Sequence, residues 1–114
     1  KYASLGSALR RSGRLEKALQ RYKTASQLAP YSTELRNTIA SLHLERGDTI
    51  RAIGTYNSIL ASDSSQPEIW TNLGVVYALK DRKEDALNAW REALTQDPDN
   101  ERARKYIERE NGLQ

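Results

Sequence analysis

The 114-residue chain contains no cysteine and no methionine, and its only histidine is His43. Without cysteine the chain can form neither a disulfide nor a zinc–thiolate site, and it has no cysteine nucleophile. A single histidine cannot assemble a metal cluster from the usual nitrogen and sulfur ligands. These absences exclude several classes of thiol and metal chemistry before any motif is considered.

Further absences concern membranes and catalysis. No apolar run approaches the length of a membrane span, and no signal-peptide pattern opens the sequence. The sequence also lacks a glycine-rich phosphate loop and the GxSxG and HExxH motifs. We therefore expect a chain that is not an enzyme, with no cofactor, no metal and no membrane span. From the lack of methionine at position 1, we expect a module of a longer protein.

Charge is distributed unevenly along a chain whose 38% hydrophobic and 29% charged residues describe a folded domain. Residues 1–32 carry seven Lys or Arg against one Glu, net +6, whereas residues 67–100 carry four against seven acidic residues, net −3. This asymmetry indicates electrostatic orientation of partners or of neighbouring copies; the alternative is that each segment has its own solvated face. Aromatic residues do not interleave the basic residues of the first segment, so we expect no nucleic-acid binding.

A pattern of aromatic and small residues occupies the third quarter of the chain and the start of the fourth. It consists of Trp70, Leu73, Gly74, Tyr77, Ala86, Trp90 and Pro98. The spacing i, i+3, i+7 places Trp70, Leu73 and Tyr77 on one face of a helix. Gly74 and Ala86 are small, as two helices that cross closely require. The segment therefore predicts a pair of packed helices, with the second ended by the proline.

The same pattern recurs at steps of 34 residues. One step back lie Arg36, Ile39, Ala40, His43, Ala52 and Tyr56, and a second step back lie Tyr2, Leu5, Gly6, Leu9, Ala18 and Tyr22. The period continues through three copies without an insertion. In residue types and period, the sequence resembles the tetratricopeptide repeat (TPR) family over residues 1 to about 100.

The resemblance implies an all-α fold, an α-solenoid of antiparallel helix pairs with about seven helices. It further implies a single domain over 1–114, with repeats at 1–32, 33–66 and 67–100 and a capping helix at 101–111. We place the helices near 1–12, 14–28, 33–45, 49–62, 67–79, 83–96 and 101–111. Tyr22, Tyr56 and Trp90 hold the same repeat slot, so we expect all three in the core.

Local sequence also predicts where these helices begin and end. Gly13, Gly47 and Asp81 stand where the first helix of each pair should end in a left-handed residue. N-caps are predicted at Ser32, Asp48 and Asn100, and Pro67 suits a first helical turn. His43 shares its slot with Tyr77 on the buried face, which favours a packed, hydrogen-bonded histidine; the alternative is a pH switch.

In proteins of this family the first helix of each pair lines a concave groove that receives peptides or partner helices. The groove slots in this chain hold Ser7, Arg10, Arg11, Asn37, Ser41, Leu44, Thr71, Asn72, Val75, Leu79, Lys105 and Arg109. Neighbouring slots hold Ala78, Arg102 and Tyr106. Asn72 occupies a slot where family members often pair an asparagine amide with the ligand backbone.

The resemblance therefore implies a protein–protein interaction module that binds a peptide or helical segment of a partner. The alternative is a structural solenoid segment that self-associates through its repeat ends. One subclass of ligand is not favoured. The slots that clamp the acidic tail of heat-shock chaperones hold residues such as Ala3, Thr38 and Glu68, and a glutamate has the wrong sign for that ligand.

Overall fold

The computed structural model describes residues 2–112, with side chains from residue 13 onward. These residues form six α-helices joined by short turns. The helices are α1 Tyr2–Leu28, α2 Thr33–Glu45, α3 Thr49–Ser62, α4 Pro67–Leu79, α5 Lys83–Gln96 and α6 Glu101–Glu110. No strand occurs within those residues. Each helix packs on the next, most extensively in the pairs α2–α3 and α4–α5. The predicted all-α solenoid of helix pairs is confirmed.

The turns inside the second and third pairs follow the prediction. Gly47 and Asp81 both adopt positive φ, 82° and 58°, and so end the first helix of each pair in the left-handed region. An i, i+3 ion pair then spans the start of the next helix. Asp48 lies 3.5 Å from Arg51, and Arg82 lies 2.8 Å from Asp85. The turn and the ion pair together favour a chain reversal at these two points.

The first predicted pair is instead one helix, because α1 continues through Gly13 for a total of 27 residues. The prediction of a left-handed residue at Gly13 is wrong, and six helices rather than seven occupy the described residues. The two positions that form an ion pair in the later repeats hold Arg14 and Lys17 here. Two cations repel each other and neither side chain can cap a helix N-terminus, so nothing local favours a break.

The predicted helix starts are confirmed by side-chain hydrogen bonds. Ser32 Oγ accepts from the backbone N–H of Leu35 at 3.2 Å, and Asn100 Oδ1 accepts from the N–H of Ala103 at 3.1 Å. Asp48 caps α3 in the same way, and Pro67 stands in the first turn of α4. Each cap satisfies an N–H group that has no partner inside its own helix.

The core extends from α2 to α6, and small residues allow close helix crossings within it. A Cβ at Gly74 would lie only 2.3 Å from Nε1 of Trp90, so only glycine fits there. Tyr56 and Trp90 are 2% and 1% exposed, as predicted. Tyr22 is 36% exposed, and its prediction as a core residue is wrong. Since α1 continues past Gly13 instead of turning back, that face of the helix lacks the cover the other repeats have.

Candidate functional site

The first helices of the second and third pairs and the C-terminal helix are joined by polar side chains. Asn72 on α4 donates from Nδ2 to Oδ1 of Asn37 on α2 at 3.4 Å. Arg102 on α6 donates from Nη2 to Oδ1 of Asn72 at 3.1 Å. We call these three residues the polar row. It crosses α2, α4 and α6 and marks the surface that these helices share.

A pocket of about 310 Å³ opens one helical turn along α4 from Asn72, between α4, α5 and α6. It is lined by Val75, Ala78, Leu79, Trp90, Tyr106, Arg109 and Glu110. We call it the apolar pocket, because five of these seven side chains are aliphatic or aromatic. Leu79 is 61% exposed and stands at the surface. One cation and one carboxylate lie among the apolar groups, so the pocket can accept an apolar side chain next to a polar one.

Aromatic stacking fixes the wall of the apolar pocket. The ring of Tyr106 stacks on Trp90 with centroids 5.2 Å apart and an angle of 18° between the planes. The guanidinium groups of Arg102 and Arg109 lie 5.9 and 5.8 Å from the same tyrosine ring. Trp90 is itself held by a hydrogen bond from Nε1 to the Thr71 carbonyl at 3.1 Å, so this wall of the pocket is formed by contacts within the chain.

The structure brings several of the predicted groove residues together. Asn37 and Asn72 belong to the polar row, and Val75, Leu79 and Arg109 belong to the apolar pocket. Tyr106 and Ala78, in the neighbouring slots, also line the pocket.

Three more predicted residues flank this surface or fall outside it. Ser41 Oγ lies 3.5 Å from the hydroxyl of Tyr56, and Leu44 packs partly buried against the core. Lys105 is exposed on α6. Ser7, Arg10 and Arg11 were also predicted, and they lie outside the residues whose side chains the structure describes.

Thr71 departs from the prediction, because its side chain is fully buried. Its Oγ1 donates to the carbonyl of Pro67 at 2.9 Å and accepts from Nδ2 of Asn100 at 3.0 Å. Thr71 therefore connects α4 to the start of α6 inside the protein and cannot contact a partner through its side chain. The functional slot next to it, Asn72, points to the shared surface instead.

Two pocket residues were not predicted. Trp90 was assigned to the core alone, yet it also forms part of the pocket lining. Glu110 was missed, although it follows Tyr106 by four residues and so lies on the same face of α6. That spacing was the available signal.

Two buried side chains, Tyr56 and His43, have shifted pKa values. Burial raises the pKa of Tyr56, and the hydrogen bond to Ser41 opposes that shift. Burial lowers the pKa of His43 below its ordinary value of 6.5, with a further contribution from the charge of Lys23. His43 is buried as predicted, but its Nδ1 makes no hydrogen bond to the described part of the chain. Both shifts favour the neutral side chain.

Two searches over the described residues concern other kinds of site. No group of three or more His, Asp or Glu side chains among them is arranged to hold a metal ion. In the same residues no helix combines the length and the apolar character needed to cross a membrane.

Comparison with protein families gives two matches. One model of a tetratricopeptide repeat matches residues 9–74, more than half of the chain, and another matches residues 67–100. Together they extend over most of the sequence.

Among curated proteins, the chain is 38% identical over 79 residues to the general transcriptional corepressor ssn6 of Schizosaccharomyces pombe, covering 69% of this chain and 7% of the corepressor. It is 32% identical over 94 residues to the human protein O-mannosyl-transferase TMTC1, covering 82% of this chain and 11% of that protein. The chain thus spans only a small part of the length of these relatives.

Solved structures agree with the fold. TTC0263, a thermophilic TPR protein of Thermus thermophilus, superimposes with a TM-score of 0.84 at 27% identity, over 91% of this chain and 53% of that one. For YrrB, a TPR protein, the TM-score is 0.78 at 25% identity, over 91% and 54% of the two chains. The first TPR of Spaghetti (RPAP3) superimposes with a TM-score of 0.79 at 18% identity, over 96% of this chain and 86% of that one, and therefore shares the fold.

Proposed function

Since the chain belongs to the tetratricopeptide repeat family, whose fold is typically a non-catalytic protein-interaction module, we propose that it binds a peptide or helical segment of a partner protein. The proposed binding surface is the one shared by α2, α4 and α6. The whole chain, 1–114, would act as one module, with repeats at 1–32, 33–66 and 67–100 and a cap at 101–111.

The observation that carries this proposal is the apolar pocket directly beside the polar row. A peptide needs hydrogen bonds for its backbone and a pocket for at least one anchoring side chain. Asn72 can hydrogen-bond the peptide backbone, and the pocket around Leu79 can accept the anchoring side chain. The cationic side chains on α6 are those of Arg102, Lys105 and Arg109, and they favour an acidic residue next to the aliphatic anchor. Glu110 in the pocket lining repels carboxylates and so limits the number of acidic residues in the peptide.

Asn72 would use only part of its hydrogen-bonding capacity for a ligand. Its amide has two N–H groups and an oxygen with two lone pairs. One N–H is donated to Asn37, and the oxygen accepts from Arg102. One N–H and one lone pair remain, which is enough for a peptide unit. The two protein contacts would fix the orientation of the amide before the ligand binds.

Two structural neighbours support peptide binding as the class of function. YrrB is described as having an unusual peptide-binding site, and the Spaghetti domain was solved with an HSP90 peptide. The acidic HSP90 ligand itself is not part of our proposal, because Glu68 is exposed on α4 at one of the slots that would clamp it. An aliphatic anchor with acidic neighbours suits this surface better.

The test is selection of binding peptides from a displayed library, followed by calorimetric titration of a selected peptide. Asn72→Ala and Leu79→Ala are each expected to weaken binding about tenfold, since each removes one central contact. Leu28→Ala is the matched control, because Leu28 is 87% exposed on α1, away from the proposed surface. Melting curves should change little for all three variants. Unchanged affinity for both Asn72→Ala and Leu79→Ala would place the binding surface elsewhere.

A further inference from the structure

A second cleft, of about 300 Å³, lies between α3, α4 and α5, apart from the apolar pocket. Its lining includes the aromatic rings of Trp70 and Tyr77 on α4, and Asp85, Asn88 and Glu92 on α5. We call it the acidic cleft. Asp85 and Glu92 are seven residues apart, so they lie on one face of α5 and about 10.5 Å apart along its axis. Two carboxylates and two aromatic rings that line the same cleft form a surface suited to cations.

The acidic cleft already binds one guanidinium group of its own chain. Arg82, exposed at the rim, lies 4.5 Å from the centre of the Tyr77 ring and 2.8 Å from the carboxylate of Asp85. Glu92 accepts a hydrogen bond from the amide of Gln96 at 3.2 Å and has no cation paired with it among the described residues. The cleft therefore keeps a net charge of −1 after Arg82 is counted. Exposed ion pairs of this kind are weak enough to exchange partners.

The equivalent positions of the first repeat, taken together, carry the opposite net charge. A shallow pocket against α1 is bordered by Lys17, Gln20, Arg21 and Thr24. Each of these residues stands 68 positions, or two repeat periods, before one of the cleft residues Asp85, Asn88, Ala89 and Glu92. Taken together, these four slots carry a net charge of +2 in the first repeat and −2 in the third, and Lys17 and Asp85 exchange sign at the same slot.

The basic surface also matches the acidic cleft in spacing. Arg14, Lys17 and Arg21 follow one face of α1, and we call them the basic stripe. All three are exposed. Arg14 and Arg21 are seven residues apart, as are the two carboxylates of the cleft. Glu16 does not neutralise the stripe, because it lies on another face of α1 and pairs with Arg46 of α2.

We propose that the acidic cleft of one copy of this chain receives the basic stripe of a second copy. Arg14 and Arg21 would pair with the two carboxylates, while the aromatic rings contact a guanidinium face. The net charges of +6 and −3 on the first and third repeats would orient the two copies during approach. The contact joins two different surfaces, so copies add head to tail and can form an open chain. The apolar pocket would stay free for a peptide.

The experiment is sedimentation velocity of the wild-type chain over a range of concentrations and ionic strengths. Self-association is expected at low salt and is expected to disappear at roughly 0.5 M salt, because exposed charge pairs are screened. Arg14→Glu, Lys17→Glu and Arg21→Glu together reverse the basic stripe without placing opposite charges at positions 14 and 17, and they should abolish it; so should Asp85→Lys with Glu92→Lys. An equimolar mixture of the reversed stripe and the reversed cleft should associate again, since each then offers the charge that the other lacks.

Two controls separate this contact from general charge effects and from misfolding. The first control is Glu84→Lys with Glu108→Lys, which changes the net charge of the chain as much as reversing the cleft does. Both residues are exposed and lie outside the acidic cleft, so association should remain intact. Asp85→Asn with Glu92→Gln removes the carboxylates with little change in shape and should weaken association, while melting curves check the fold.

A wild-type chain that remains monomeric at millimolar concentration in low salt would overturn the proposal. Association that survives both the reversed stripe and the reversed cleft would overturn it as well. If the chain stays monomeric but an arginine-containing peptide binds in the cleft, the occupant is a basic partner segment and not a second copy. None of these results affects the peptide-binding proposal, which depends on Asn72 and Leu79.

Discussion

Gly74 and Gly54 both lie inside helices, but an added side chain would meet different surroundings at each. At Gly74 a Cβ would lie 2.3 Å from Trp90, which is buried and hydrogen-bonded and so cannot move away. Gly74→Ala is therefore expected to lower the free energy of unfolding by about 1–3 kcal/mol. Nothing lies within 4 Å of a Cβ at Gly54, so Gly54→Ala should raise the free energy of unfolding by about 0.5–1 kcal/mol. Urea unfolding measures both, and equal shifts would contradict the crossing geometry.

His43 is expected to make the stability of the fold depend on pH. Its pKa in the folded chain is below 6.5 because of burial and the charge of Lys23; Arg51 and Arg46 act in the same direction, while Asp48 acts against them. As the pH falls through 6.5, the unfolded chain binds a proton at His43 before the folded chain does. The free energy of unfolding therefore decreases below that pH and is unaffected by this group well above it.

The measurement for His43 is thermal or urea unfolding between about pH 5 and pH 8, above the range where most carboxylates titrate. His43→Leu is the comparison, since the equivalent slot of the first repeat holds leucine. The decrease below pH 6.5 should be smaller in the variant. Equal pH dependence in both proteins would show that other groups cause it.

Among the elements, α1 differs from the other helices because it runs through the point where the later repeats turn. Arg14→Asp would place a capping carboxylate after Gly13 and opposite Lys17, as Asp48 stands after Gly47 and opposite Arg51. We expect this change to end the first helix at Gly13 and begin a second one. Backbone chemical shifts or amide exchange at residues 12–16 would report the break. Arg14→Ala removes the charge without adding a cap and should leave the helix continuous.

The sequence predicted the helix ends that depend on local chemistry alone. Ser32 and Asn100 cap the helix that follows them, and Gly47 turns the chain, because the required atoms lie within a few residues. Gly13 misled the prediction because a helix tolerates a single glycine. The ion pair that spans both later turns is replaced here by two cations, Arg14 and Lys17. Thr71 was misassigned because its partner, Asn100, lies 29 residues away, and repeat spacing does not reveal such a contact.

The candidate site was predictable to the extent that it follows the repeat slots. Asn72, Val75 and Leu79 came from those slots, and the structure places all three on or beside one surface. The pairing of Asn72 with Arg102 depends on how α6 packs beside α4, which the period does not specify. The same holds for the stacking of Tyr106 on Trp90.

At the scale of the whole molecule, the continuous α1 makes the chain more extended than its length requires. The radius of gyration is 15.6 Å, whereas a compact domain of this length has about 13 Å. Small-angle scattering of the wild-type monomer should give a radius of gyration near 15.6 Å. In Arg14→Asp, folding of the first segment back onto the array should reduce it. A compact value for the wild type would indicate that α1 turns at Gly13 in solution.

The chain has two tryptophans, and each contributes to one of the two cavities. Trp90 lines the apolar pocket, and Trp70 lines the acidic cleft with its indole N–H bonded to the carbonyl of Ser64. The protein therefore carries an intrinsic fluorophore in each. Peptide binding should change the emission of Trp90, and contact with a second copy should change that of Trp70. With Trp70→Phe and Trp90→Phe to assign the signals, unlabelled protein could report both events separately in one titration.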